Sequence, residues 1–184
     1  MKTITVVYGC MFSGKTSWII DKARSLNSDE LVVIKHSIDT RYSECCIVSH
    51  NGDKYPAIPA NKLLDIDRNV FLGKKYIIID EGQFFDDIMD FVKITENMDI
   101  MIAGLDLTSS KEPFGHMPNL INIANNVIHR TANCADCGKP ALYTHRKKEN
   151  LKESERKSTI LIGGSQIYQP MCADCYEIHN IEKK

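Results

Sequence analysis

The feature that most constrains the fold of this chain is a glycine-rich loop that follows an apolar segment near the N-terminus. Residues 3–8 are rich in β-branched side chains and are predicted to form a buried strand. Residues 9–16 fit the pattern G-x-x-x-x-G-K-S/T, and residues 17–24 after them are predicted to be helical. A strand, a glycine loop and a helix start turn backbone N–H groups toward an anion, which predicts a nucleoside triphosphate site.

Two side chains of this loop have specific expected roles. Lys15 is expected to reach the β- and γ-phosphates, and the Thr16 hydroxyl is expected to hold Mg²⁺. The alternative is a chance match, in which a glycine turn precedes a core helix and Lys15 is solvated. We expect the whole loop to contribute to ATP binding: Gly9, Cys10, Met11, Phe12, Ser13, Gly14, Lys15 and Thr16.

Length and composition limit the class of protein. The 184 residues, 43% of them hydrophobic, suit one domain with a real core, or one domain with a small appendage. The formal net charge of −1 supplies no basic field for nucleic acid. The sequence has no run of about 18 apolar residues, so it predicts no membrane span. Met1 to Thr3 lead directly into the first strand, so no signal peptide is evident and we expect a cytoplasmic protein.

The first 130 or so residues alternate between segments typical of strands and segments typical of helices. Apolar spacing predicts a helix over residues 86–96. Further strands are predicted over residues 31–35, 75–80, 99–105 and 127–128. This alternation predicts an α/β fold, in which helices flank a parallel sheet on both faces.

The character of the chain changes near Arg130. We therefore expect an ATP-binding α/β domain over residues 1–129 and a smaller lobe over residues 130–184. Residues 146–156 carry many charges and are predicted to form a mobile surface loop, for which a simple solvated face is the alternative. Residues 159–164 are predicted to return as a strand that ends in a glycine turn.

Two acidic residues follow the apolar strand of residues 75–80. The Asp80 carboxylate could reach Mg²⁺, directly or through water. Glu81 should point to the other side of the strand end, where it could take a proton from an attacking hydroxyl or water. The alternative is that both acids begin a solvated turn.

Four of the seven cysteines form two C-x-x-C pairs, Cys134 with Cys137 and Cys172 with Cys175. Two such pairs suit a tetrahedral structural Zn²⁺ site with no open position for catalysis. Unpaired core cysteines or redox chemistry are the alternatives. The other three, Cys10, Cys45 and Cys46, are interpreted as packing residues.

Residues 39–42 follow the second predicted strand. In a functional interpretation, Asp39 lies near metal-bound water and Arg41 lies against phosphate or the acidic groups. In the alternative interpretation, the segment only caps or turns the chain.

Taken together, these motifs resemble the type II thymidine kinases, the zinc-containing class of phosphate-loop nucleoside kinases. The resemblance covers nearly the whole chain, in matching order and spacing. It includes the glycine loop, the two cysteine pairs, and residues 39–42, 80–85, 104–106, 113–115 and 163–168. It implies ATP-dependent phosphorylation of the 5′-hydroxyl of thymidine or deoxyuridine, in pyrimidine deoxynucleoside salvage. It also implies a C-terminal zinc-ribbon lobe whose charged loop is a substrate-covering lasso.

The resemblance also assigns residues to roles. Glu81 would be the catalytic base, and Asp80 and Gln83 would lie at the phosphate and metal end. The triphosphate site would further include Asp39, Thr40 and Arg41. Thr144 would lie beside the 5-methyl group of the base. The remaining nucleoside-binding residues would be Met11, Phe84, Leu105, Ser109, Phe114, Thr159, Ile160, Leu161, Ile162, Gly163 and Tyr168, with residues 159–163 acting through their main chain.

One position departs from the family pattern. Ser109 stands where the family usually has an aromatic residue, so we expect weaker binding of the base or a broader substrate range. The resemblance further implies ATP, Mg²⁺ and structural Zn²⁺ as cofactors, dTTP as a feedback inhibitor and a homotetramer. It implies no nucleic-acid or membrane partner. The alternative function is an ATP-dependent nucleic-acid-binding module, with the zinc ribbon as the reader.

Overall fold

A six-stranded parallel sheet forms the centre of the protein. The structure is a computed structural model that describes residues 2–39, 45–147 and 161–181, with side chains up to residue 179. In chain order the described elements are β1 Ile4–Tyr8, α1 Lys15–Ser25, β2 Leu31–His36, β3 Cys46–Val48, β4 Lys54–Pro56, β5 Ile58–Ala60, β6 Tyr76–Asp80, α2 Ile88–Ile94, β7 Asp99–Gly104, α3 Met117–Ile123, β8 Asn126–His129, β9 Ala132–Asn133, β10 Pro140–Ala141, β11 Tyr143–Arg146, β12 Tyr168–Met171 and α4 Ala173–Ile181. The predicted α/β fold class is confirmed.

The strand order brings the ends of three strands together. The sheet runs β5-β2-β6-β7-β1-β8, so β7 lies between β6 and β1. All of its neighbouring strands pair in parallel. The chain leaves β1 at Gly9, β6 at Glu81 and β7 at Leu105, and parallel strands end at the same edge of a sheet. Ligands of open α/β sheets bind at this carboxyl edge.

Helices cover both faces of the sheet. Ile19, Ile20 and Ala23 of α1 are fully buried against one face. On the other face, α2 and α3 contribute the buried Ile88 and Leu120, among others. Consecutive apolar residues in β6 are needed because both of its faces are covered, and residues 77–79 are completely inaccessible to solvent.

The helix after β6 is shorter than predicted. It spans Ile88–Ile94 rather than residues 86–96. Asp87 Oδ2 accepts a hydrogen bond from the Leu64 amide, which ties the residue before the helix to another segment. At the other end, the Thr95 hydroxyl donates to the Phe91 carbonyl and the backbone turns to an extended conformation. Local side-chain hydrogen bonds of this kind end helices that apolar spacing alone would extend.

The strand predicted over residues 159–164 is wrong for the part that the structure describes. Residues 161–164 have no regular secondary structure. The Gly164 carbonyl instead accepts hydrogen bonds from the amides of Ile167 and Tyr168, which closes a turn before β12. The Tyr168 hydroxyl donates to the Leu161 carbonyl at 2.7 Å, so a side chain replaces a strand ladder. Thr159 and Ile160 lie outside the described residues.

A small lobe of antiparallel strand pairs follows the sheet and packs against the glycine loop. The pairs are β9 with β10 and β11 with β12. The Cys10 thiol donates to the Ala141 carbonyl at 3.3 Å, and the Met11 amide donates to Thr144 Oγ1 at 3.0 Å. The lobe therefore faces the glycine loop. Within the described ranges, no helix is long and apolar enough to cross a bilayer.

Replacing Gly9 tests how closely the backbone at the end of β1 packs against Arg130. Its φ is +141°, and a Cβ there would lie 2.0 Å from the Arg130 carbonyl oxygen. We predict that Gly9→Ala prevents folding or lowers the free energy of unfolding by more than about 3 kcal/mol, measured by chemical denaturation. Gly73→Ala is the matched control, because Gly73 has a φ of +74° but open space around it. Gly73→Ala should lower the free energy of unfolding by only about 1 kcal/mol. An equal loss of unfolding free energy in the two variants would refute the explanation by close packing at Gly9.

Candidate functional site

The glycine loop has the geometry expected of an anion site. Gly14 adopts a left-handed conformation with φ +75° immediately before α1, so the helix begins at Lys15. Lys15 Nζ donates to the carbonyls of Gly9 and Cys10, at 3.0 and 2.7 Å, and so bends back over the loop. Burial lowers the pKa of the Lys15 ammonium from its ordinary value, and nearby acidic groups, first among them Glu81, oppose that shift.

Cys10 is a structural residue of this loop. Its side chain is 3% exposed and packs with the small lobe. Burial raises the pKa of the Cys10 thiol, although Lys15 opposes that shift. A thiol that stays protonated is a poor nucleophile and a competent hydrogen-bond donor. This agrees with its interpretation as a packing residue.

The acid pair at the end of β6 has an unusual backbone. Asp80 is buried at 5% exposure, and its Oδ1 accepts a hydrogen bond from the Glu81 amide at 3.0 Å. Glu81 has φ 57° and ψ 43°, a left-handed conformation that costs a residue with a side chain about 1 kcal/mol. Such conformations are concentrated at functional sites, where the surrounding structure holds them.

Gln83 orients Glu81. Its Nε2 donates to Glu81 Oε2 at 2.6 Å, while its Oε1 accepts from the Leu105 amide at 3.0 Å. The side chain is 3% exposed. Because both ends of the amide are bonded, its orientation is set by the end of β7. The Gln83 amide in turn fixes the orientation of the Glu81 carboxylate.

Two cavities open on this region. The first has about 480 Å³ of empty space, which includes space open to solvent. Its wall is mainly apolar: Met11, Glu81, Gln83, Phe84, Leu105, Leu107, Thr108, Ser109, Phe114, Thr144, Arg146, Leu161, Ile162, Gly163 and Tyr168. The Phe84 and Phe114 rings meet edge to face, with centroids 5.4 Å apart. We call it the apolar pocket.

The second cavity, the polar pocket, has about 910 Å³ of empty space and lies over the glycine loop. It is lined by Met11, Phe12, Gly14, Lys15, Thr16, Ser17, Val48, His50, Asn51, Asp80, Glu81, Leu105 and Gly164. The Phe12 and His50 rings meet edge to face, with centroids 5.4 Å apart. The positive end of α1 and the Lys15 ammonium would both favour an anion bound here.

Three residues line both pockets: Met11, Glu81 and Leu105. Glu81 alone among these carries a charge. A carboxylate at the junction of a flat apolar pocket and a phosphate-binding pocket can accept a proton from a hydroxyl that enters from the apolar side.

The four cysteines of the two C-x-x-C pairs converge, as predicted. The sulfur atoms of Cys134, Cys137, Cys172 and Cys175 all lie within 4.8 Å of one another. A tetrahedral Zn²⁺ with Zn–S bonds of 2.3 Å requires sulfur separations of about 3.8 Å. The measured distance between Cys137 Sγ and Cys172 Sγ is 3.6 Å, so the donor set and its spacing fit zinc.

Backbone hydrogen bonds prepare one thiolate of this cluster. Burial alone would raise the pKa of Cys134, but hydrogen bonds from backbone N–H groups, first that of Cys172, lower it to about 6. Hydrogen bonds with the side chains of Cys172 and Cys137 raise the pKa of Cys175 instead. A bound cation would favour the ionised form of all four thiols.

A comparison with known families bears on this geometry. A family model described as thymidine kinase matches residues 2–176. The chain belongs to the thymidine kinase family. It is therefore a nucleoside kinase, and the apolar and polar pockets are the candidate sites for its two substrates.

Several predicted residues of this thymidine kinase lie away from the pockets. Asp39 lies in the turn after β2, where its amide donates to the His36 carbonyl, and it lines neither pocket. Gln83, expected at the phosphate and metal end, lines the apolar pocket instead. Gly9, Cys10 and Ser13 form the back of the loop and not its lining. Thr40 and Arg41 lie outside the described residues.

The predicted nucleoside residues converge wherever the structure describes them. Ten line the apolar pocket: Met11, Phe84, Leu105, Ser109, Phe114, Thr144, Leu161, Ile162, Gly163 and Tyr168. Thr159, Ile160 and most of the predicted lasso loop lie outside the described residues. Arg146 and Leu161 flank that loop, and both line the apolar pocket.

Sequence reasoning missed several lining residues. Val48, His50 and Asn51 come from the β3–β4 hairpin, which the sequence analysis did not predict. The doublet of Asn51 and Gly52, a common turn signal, could have revealed that hairpin. Leu107 and Thr108 follow directly on the predicted Leu105, so extending that segment would have found them.

Arg130 is a further missed residue, and it braces the glycine loop from behind. Its amide donates to the Tyr8 carbonyl at 2.8 Å, and its Nε donates to the Ser13 carbonyl at 3.0 Å. A planar trans peptide directs its N–H opposite to its C=O. Holding the Ser13 carbonyl outward therefore directs the Gly14 N–H toward the other side of the loop. No local sequence signal could reveal a contact across 117 positions.

Replacing Arg130 tests this brace. We predict that Arg130→Met raises the KM for ATP about tenfold, because a charged donor is lost from the loop carbonyl. The KM for the nucleoside should change much less. The measurement is initial-rate kinetics with each substrate varied in turn, with exposed Arg68→Met as the matched control. An unchanged KM for ATP would remove Arg130 from this role.

Treatment with a metal chelator tests the role of the four clustered cysteines in the small lobe. With a chelator present, we predict faster hydrogen exchange in β11 and β12 before any change in α1, because α1 rests on the sheet core. Residues 105–114 should loosen with the lobe. Earlier exchange in residues 9–16 than in the lobe would contradict this order. Mass spectrometry of the same samples reports the zinc content.

Proposed function

We propose that this thymidine kinase transfers the γ-phosphoryl group of ATP to the 5′-hydroxyl of thymidine or deoxyuridine. The observation that carries the proposal is the position of Glu81, which lines both the apolar and the polar pocket. A phosphoryl transfer between two small molecules needs one group at the boundary of two sites. Glu81 has the chemistry and the fixed orientation for that role.

The polar pocket is the proposed site of the triphosphate. Lys15 would exchange its two loop carbonyls for phosphate oxygens, and the N–H groups at the start of α1 would add further donors. Thr16 and Asp80 line the same pocket and carry the oxygen ligands that Mg²⁺ prefers. When bound, Mg²⁺ would neutralise charge that develops on the phosphate oxygens.

The apolar pocket is the proposed site of the nucleoside. A flat pyrimidine fits a slot with apolar walls and few fixed polar groups, here between Phe114 and the Leu161–Gly163 backbone. Main-chain groups of that segment would recognise the base at low entropic cost. Thr144 is buried in the wall, and its Oγ1 already accepts a bond from the Met11 amide.

In the proposed reaction the 5′-hydroxyl approaches Glu81 from the apolar pocket. Its proton moves to a Glu81 carboxylate oxygen as the new O–P bond forms at the γ-phosphorus. The bond from that phosphorus to the β–γ bridging oxygen breaks, and ADP leaves with both electrons of that bond. The hydrogen bond from Gln83 holds the carboxylate in orientation throughout. Phosphoryl transfer needs mainly such alignment and charge neutralisation.

Other features of the family belong to the proposal as well. They are the lasso that covers the substrate, feedback inhibition by dTTP, a homotetramer and a cytoplasmic location. The proposed division into an ATP-binding domain and a zinc lobe has its boundary directly after β8. The attachment of the lobe to Met11 and Cys10 supports a role for the lobe in closing the nucleoside site.

Replacing Glu81 tests the proposed base. We predict that Glu81→Gln lowers kcat about 100-fold or more while ATP binds nearly as before, because the amide keeps the shape but cannot accept the proton. Coupled measurement of ADP release gives kcat, and titration calorimetry gives ATP affinity. Glu96→Gln makes the same chemical change at an exposed position outside both pockets and should leave turnover unchanged. Normal turnover in Glu81→Gln would exclude the base role.

The same assay distinguishes the substrate class. ADP release should depend on thymidine or deoxyuridine and should not respond to single-stranded DNA. If single-stranded DNA alone stimulated turnover, the kinase proposal would fail and the nucleic-acid-binding alternative would take its place.

A further inference from the structure

One wall of the apolar pocket is a tight turn over residues 107–113, which we call the pocket turn. Leu107 and Pro113 form an antiparallel bridge at its base. The Thr108 side chain closes it, since Oγ1 accepts bonds from the amides of Ser110 and Glu112. Leu107, Thr108 and Ser109 line the pocket. The position of this turn therefore sets one dimension of the pocket.

The tip of the pocket turn is attached to the small lobe. The Tyr176 hydroxyl donates to the Ser109 carbonyl at 2.6 Å. Lys111 Nζ lies between two aromatic rings, 4.2 Å from the centroid of Tyr143 and 4.3 Å from that of Tyr176. It also pairs with Glu177, the next residue of α4.

Lys111 has a backbone conformation that needs such support. Its φ is +64°, a left-handed value that a residue with a side chain adopts only at a cost. The ammonium is partly shielded, with 30% of the side chain exposed. Cation–π contacts strengthen when the cation loses water, so two rings and a carboxylate can hold the strained tip.

The zinc site sets the position of these attachments. Tyr176 immediately follows the metal-binding Cys175 on α4, and its side chain is 6% exposed. It packs in the small core of the lobe with Met171 and Cys172. A buried ring next to a zinc ligand has little freedom to move, so its hydroxyl presents a fixed donor to Ser109.

We propose that Tyr176 and Lys111 are positioning residues for nucleoside binding. Through them α4, which carries the zinc-ligand candidate Cys175, holds the pocket turn at the width that the substrate needs. The inference rests on the proposed function, since it assigns the nucleoside to the apolar pocket. It also gives a role to the Ser109 position. The main-chain carbonyl of Ser109 is the anchor point for Tyr176, at a position where the family usually has an aromatic residue.

The test removes one hydroxyl at a time. Tyr176→Phe keeps the ring but loses the bond to Ser109, and we predict a rise of about 3- to 10-fold in the KM for thymidine. The KM for ATP and the zinc content should stay as in the unaltered protein. Tyr76→Phe is the matched control, because Tyr76 begins β6 at the end of the sheet away from the pockets and lines neither of them. Its KM for thymidine should match that of the unaltered enzyme.

A second pair of variants tests the charge. Lys111→Met should also raise the KM for thymidine, while Lys111→Arg, which keeps a cation between the rings, should restore most of the affinity. Hydrogen exchange of residues 107–113 should increase in Tyr176→Phe and Lys111→Met only. A merely structural defect would lower the zinc content or the thermal stability. It would also raise the KM for thymidine and the KM for ATP to the same extent.

The outcomes separate this inference from the proposed function. If Tyr176→Phe and Lys111→Met keep the KM of the unaltered enzyme for thymidine, the positioning role is refuted while the kinase proposal stands. If the unaltered enzyme shows no nucleoside-dependent ADP release, the proposed function itself fails. A rise in the KM for ATP equal to that for thymidine would also overturn the inference.

Discussion

The glycine loop is held between the central sheet and the small lobe that carries the four clustered cysteines, and both substrate pockets depend on that position. The chain leaves β1 through Gly9, whose Cα lies so close to the Arg130 carbonyl that no side chain fits. Arg130 then holds the Ser13 carbonyl from behind, while Cys10 and Met11 bond to the lobe. Lys15 and the start of α1 can face the polar pocket because the loop is fixed on both sides.

The strand order gives the same edge its catalytic character. Since β7 separates β6 from β1, the acid pair after β6 lies across one strand from the glycine loop. The Leu105 amide, at the end of that intervening strand, fixes Gln83, which in turn fixes Glu81. The left-handed backbone conformation of Glu81 is unfavourable, and these hydrogen bonds help to hold it. The orientation of the proposed base is therefore a property of three neighbouring strand ends.

The small lobe serves as a wall of the apolar pocket as well as an attachment for the loop. Thr144 and Tyr168 come from its second strand pair, and Tyr176 reaches across to the pocket turn. Zn²⁺ held by the four cysteines would join the two ends of this lobe, which lie far apart in sequence. A small lobe with a core of few residues needs such a crosslink to present a fixed surface.

The sequence by itself determined the parallel sheet, the glycine loop, the acid pair and the zinc ligands. Each is a local pattern in which spacing dictates the chemistry, such as the consecutive apolar residues before Asp80 or the two C-x-x-C pairs. Only the tertiary structure decided which residues brace these motifs. Arg130 behind the loop, Gln83 on the Leu105 amide and Tyr176 on Ser109 are contacts between segments that lie apart in sequence, and no local periodicity encodes them. Over residues 161–164, the part of the predicted strand that the structure describes, a bond from the Tyr168 side chain holds Leu161 where the apolar pattern favoured a ladder.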